Sequence, residues 1–70
     1  MITNEQVENN FSYHAPKADQ PERYEAIRYK AKILEAYINE KCPDSREKSL
    51  AMTKLEEAVM WANASIARNE

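Results

Sequence analysis

Pro43-Asp44-Ser45-Arg46-Glu47-Lys48-Ser49-Leu50-Ala51-Met52-Thr53-Lys54-Leu55-Glu56-Glu57-Ala58-Val59-Met60-Trp61-Ala62-Asn63-Ala64-Ser65-Ile66-Ala67-Arg68-Asn69 is the stretch that decides the fold. Met52, Leu55, Val59, Ala62 and Ile66 recur at spacings of three and four, which draws one apolar stripe down a helix. Asp44 is read as its N-cap, with Glu47 three residues on completing a capping box. No Gly or Pro interrupts the run, so the spacing predicts a helix over 44–69. The rest of the chain must cover that stripe.

A second stripe lies upstream. Tyr24, Ile27, Ala31, Leu34 and Ile38 predict a helix over 21–41, with Ala26, Ile33 and Tyr37 widening its apolar face. Pro21 suits the first turn after a cap by Asp19 or Gln20, because its missing N–H has no helical partner there. The connection Lys41-Cys42-Pro43-Asp44 is short, so the two helices are expected to be antiparallel neighbours. The fold class is all-α: an antiparallel two-helix hairpin with an N-terminal arm over 1–20. Within that arm a short helix over 1–10 has Thr3 as N-cap, Gln6 reciprocating, and Ile2 and Val7 as a staple. Asn9-Asn10 is read as its end. Residues 11–20 are read as an extended loop, since Pro16 pushes the residue before it away from helical geometry.

Size and composition narrow the function. Seventy residues with no Gly and three Pro, all within the first 43 positions, fit one helical unit. One seam between two helices buries too little apolar area to offset the ordering of such a chain, and this points to self-association. Net charge is −2, with 10 basic and 12 acidic residues interleaved. That balance argues against duplex DNA, which requires many phosphate contacts. No apolar run is long enough to span a bilayer, and the N-terminus has no signal-peptide pattern. The single Cys42 cannot form an internal disulfide and suits a reduced cytosolic setting.

Catalytic and metal patterns are missing. His14 and Cys42 stand alone, Glu56 and Glu57 are adjacent and so diverge around a helix, and no Gly-rich phosphate loop exists. No enzyme, metal or cofactor is therefore expected. What is present is aromatic and cationic. Phe11, Tyr13 and His14 offer faces on which a nucleobase stacks, and Lys17, Arg23, Arg28 and Lys30 offer phosphate contacts. The plainer reading has Phe11 and Tyr13 covering the end of the hairpin core, and Arg28 and Lys30 on a solvated face near Glu25 and Glu35. Trp61 and the small residues Ala58, Ala62 and Ser65 are read as core or subunit contact, with Asn63 setting register. Arg68 complements the C-terminal helix dipole or, where chain ends converge, binds an anion.

Phe11-Ser12-Tyr13-His14-Ala15-Pro16-Lys17, Asp19-Gln20, Arg23-Tyr24 and Ile27-Arg28 resemble the start of the phage anti-CBASS cyclic-oligonucleotide sponges. Pro43, Ser45-Arg46-Glu47-Lys48-Ser49, Leu55-Glu56-Glu57-Ala58, Trp61-Ala62-Asn63-Ala64 and Ile66-Ala67-Arg68-Asn69 resemble the rest, so the likeness covers residues 10–69. That family shares its helical hairpin with a phage anti-Thoeris sponge for a cyclic ADP-ribose isomer. The resemblance implies an all-helical homohexamer acting in the cytoplasm of the infected host. It implies sequestration, without cleavage, of cyclic dinucleotides such as cyclic GMP–AMP and, in some members, cyclic trinucleotides. The family's arm tyrosine matches Tyr13, and its following basic residue matches Arg28 or Lys30. If that residue is lysine, Arg28 is a departure with different phosphate geometry. The expected dinucleotide set is thus Phe11, Tyr13, His14, Lys17, Arg28 and Lys30. The trinucleotide arginine matches Arg68, beside Asn69, while a threonine of that second site has no sure counterpart. Two other readings stand beside it: a helical adaptor that binds protein through its aromatic arm, and a small DNA-binding regulator.

Overall fold

The computed structural model describes residues 3–11 and 15–70, with Asn9 described by its backbone alone. Among the described residues there are three helices and no strand: α1 (Asn4–Phe11), α2 (Gln20–Lys41) and α3 (Arg46–Asn69). α2 and α3 pack along each other as the hairpin, and α1 makes no contact of similar extent with either.

Local chemistry explains each boundary. At α1 the expected capping box forms: Thr3 N–H donates to Gln6 Oε1 at 2.8 Å, and Gln6 N–H donates to Thr3 Oγ1 at 3.0 Å. Ile2 of the expected staple lies outside the described residues. Asn9-Asn10 does not stop this helix, which runs on to Phe11; two asparagines lower helix propensity without blocking it. Pro21 sits in the first turn of α2 as expected, but Asp19 at the N-cap makes no side-chain cap hydrogen bond.

The cap of α3 is Ser45 rather than Asp44. Ser45 is in extended geometry (φ −167°, ψ 167°), and its Oγ accepts from Lys48 N–H at 3.1 Å. Asp44 is engaged elsewhere, accepting from Lys48 Nζ at 2.7 Å. Lys48 Nζ also donates to Asn39 O at 2.9 Å, so one lysine clamps both sides of the turn. Its side chain is only 9% exposed. The ammonium therefore holds the Asp44 carboxyl below its ordinary range, first by hydrogen bonding and then by charge.

The stripe on α3 behaves as its spacing predicts: Met52, Leu55, Val59, Ala62 and Ile66 are all half-buried. On α2, Tyr24, Ile27, Ala31 and Ile38 are half-buried, whereas Leu34 is exposed. Trp61 is 55% exposed, so more than half of its surface is open on the single chain. Among the described residues no hydrophobic side chain is fully buried. The extents of 45 × 32 × 13 Å show why. The smallest is about one helix diameter, 10–12 Å, so the chain forms a plate one helix thick, too thin for an apolar interior. A compact chain of 8.2 kDa is expected to expose about 4,500 Å². This one exposes 5909 Å².

Candidate functional site

The residues singled out by sequence fall at three places. The first is the arm. Phe11 closes α1 and is 86% exposed, so it does not cover the end of the hairpin core. Tyr13 and His14 lie outside the described residues. Lys17 is exposed in the segment before α2.

The second place is α2. Arg28 and Lys30 are two residues apart, which puts them about 200° apart around the helix. Arg28 joins Lys32, Ala31, Met52, Leu55 and Val59 in lining a groove of about 670 Å³ between α2 and α3. Lys30 lies on the other side, in the sector of Tyr29, Ile33 and Tyr37, three exposed side chains spaced by four. One chain therefore presents the two cations to different surfaces. Neither makes an ion pair with Glu25 or Glu35; the described ion pairs instead use Arg23, Lys41, Lys48 and Lys54.

The third place is the C-terminal turn of α3. Arg68 is exposed there, and Asn69 Nδ2 donates to Ser65 O at 2.9 Å, closing the helix end. Beside it lies a cluster that sequence reasoning missed. Gln20, 4% exposed, is the one buried residue among those described. Its Oε1 accepts from Lys17 N–H at 2.9 Å, and its Nε2 donates to Glu70 Oε1 at 3.1 Å. Arg23 grips the same carboxylate with both terminal nitrogens, Nη1 to Oε2 at 2.8 Å and Nη2 to Oε1. Arg23 Nε also sits 3.2 Å from Asp19 Oδ2, an ion pair without hydrogen-bond alignment. The guanidinium and the Gln20 amide pull the Glu70 carboxyl down to about 2, and the Arg23 pKa is raised in return. Arg23, a phosphate candidate by residue type, is thus already engaged. No local pattern announces this cluster, because its two ends are 50 residues apart.

These placements define an all-helical hairpin with cations and aromatics distributed over its surfaces. Among the described residues, no group of three or more His, Cys, Asp and Glu side chains converges to hold a metal. No described helix is long and apolar enough to cross a membrane. The family model for the Acb2/Tad1 hairpin domain matches residues 3–67, and the chain belongs to that family. The membership supports the coarse functional expectation of a phage anti-defence sponge for cyclic nucleotides. No curated protein and no solved structure matches the chain.

Proposed function

We propose that the protein is a non-enzymatic sponge acting in the cytoplasm of the infected bacterium. It binds cyclic dinucleotides such as cyclic GMP–AMP, and through a second site cyclic trinucleotides, and so keeps CBASS effectors inactive. The observation that carries this reading is the family match over residues 3–67, which takes in α1, α2 and all of α3 but its last two residues, Arg68 and Asn69. The working form is a homo-oligomer, and a homohexamer is the form the resemblance implies. The absence of a buried apolar side chain among the described residues and the excess surface of the single chain support self-association.

In such an assembly Tyr13, with Phe11 and His14, stacks on the bases, while Lys17 and either Arg28 or Lys30 meets the phosphates. A twofold axis presents each of these groups twice to a ligand with two phosphates. A threefold axis presents three copies of Arg68, one for each phosphate of a trinucleotide, with Asn69 beside it.

Isothermal titration against cyclic di- and trinucleotides, with the assembly mass measured in parallel, tests the reading. Tight binding with intact ligand recovered after denaturation supports it. A monomer that binds none of the panel overturns it, and recovery of hydrolysed product indicates an enzyme. The adaptor reading draws on the exposure of Phe11, and it predicts that Phe11→Ala weakens a protein complex while no nucleotide binds.

A further inference from the structure

The Gln20–Arg23–Glu70 cluster has no part in the ligand contacts above, yet it joins the two regions that carry them. Lys17 leads back to the arm, and Glu70 directly follows the turn that holds Arg68 and Asn69. Three features make the junction specific. The Gln20 amide uses both ends, and its own backbone N–H donates to Lys17 O at 2.8 Å, so Gln20 holds both backbone groups of Lys17. Ala18, inside that ring, has φ 45°, a left-handed conformation that a residue with a Cβ resists. Such strain persists only where the surroundings over-determine it. The Arg23 fork on Glu70 then fixes orientation in the plane of the carboxylate. A partly exposed ion pair adds little stability in itself, so the product of this arrangement is direction.

We propose that Gln20, Arg23 and Glu70 are positioning residues that set the path of the Lys17 segment out of α2 and hold the arm in register with the C-terminal turn of α3. The ligand-facing half of this inference rests on the sponge reading; the lock itself does not. Disturbing the lock weakens ligand capture by a residue that touches no ligand.

The test uses the full chain and two readouts. Trypsin cleavage at Lys17–Ala18, followed by the mass of the fragment beginning at Ala18, reports the lock without any ligand. Glu70→Ala is expected to speed that cleavage about tenfold while far-ultraviolet ellipticity and assembly mass stay unchanged. Glu70→Gln, which keeps one acceptor oxygen, is expected to recover part of the protection. Titration with cyclic GMP–AMP should show the same ranking, with Glu70→Ala about tenfold weaker than the parent and Glu70→Gln between them. Equal cleavage rates in parent and Glu70→Ala overturn the lock. Faster cleavage with unchanged affinity overturns the positioning role. A parent chain that binds no cyclic nucleotide overturns the sponge reading instead, and the cleavage readout separates that case from the other two.

Discussion

Ile33 is the sharpest place to ask whether the hairpin stands alone. It lies between Tyr29 and Tyr37 on the outer row of α2 and is 52% exposed. Full burial of an isoleucine contributes about 1.5–3 kcal/mol. The half left open here is then worth about 0.8–1.5 kcal/mol if a second copy covers it. Ile33→Glu removes that term and leaves a carboxylate facing an apolar partner, which costs several kcal/mol more after relaxation. The sum is about 3–5 kcal/mol for each covered site, or two to three and a half decades in association constant. Glutamate is a better helix former than isoleucine, so α2 itself is not weakened. Sedimentation velocity across a dilution series reads the result. The parent should stay assembled at concentrations where Ile33→Glu has become monomeric and lost helicity. An unchanged mass in Ile33→Glu would refute the view that this row is covered. A monomeric, fully helical parent would refute the argument from surface area.

Three further outcomes are expected. Ser45→Ala removes the α3 cap and should cost about 1 kcal/mol in a thermal melt at fixed protein concentration, whereas Asp44→Asn leaves that cap in place. Arg68→Ala should abolish binding of cyclic trinucleotides in a titration and spare dinucleotides, and Tyr13→Ala should do the reverse; loss of both ligands in either variant would show one shared pocket. The Glu70 carboxyl is depressed from 4.5 to about 2. The stability it contributes is therefore complete above about 4.5 and is lost as pH falls toward 2. The Gln20 side-chain amide resonances should report that titration with a midpoint near 2; a midpoint near 4.5 would mean that no lock exists in solution.

Local patterns were legible and long-range polar ones were not. The Thr3–Gln6 box was readable because both partners lie within one turn and the rule is reciprocal. The α3 cap was misplaced by one residue because Asp44 and Ser45 are both good caps, and Lys48 chooses between them by taking the aspartate. The extra width of the α2 stripe was visible as Ile33 and Tyr37. The structure leaves that row, Tyr29, Ile33 and Tyr37, exposed on the single chain. Trp61 shows the same limit, since hydrophobicity says that a side chain should be covered but not by which chain. For the candidate site, the sequence named the residue types. The structure adds that Arg28 and Lys30 face different ways and that Arg23 is committed to Glu70. The Gln20 lock was invisible because an isolated glutamine carries no periodic signal.

The thinness of the plate also bears on stoichiometry. A pocket that holds a small molecule tightly covers 70–90% or more of its surface. A groove on one face of a layer 13 Å deep leaves the ligand's outer side in water. Enclosure then requires a wall from another chain, and a wall shared between chains is counted once for every two or three of them. Saturation should therefore fall at a simple fraction of the chain concentration, one half for a site between two copies and one third for a site among three. An endpoint of one ligand per chain would mean that a single plate does the holding.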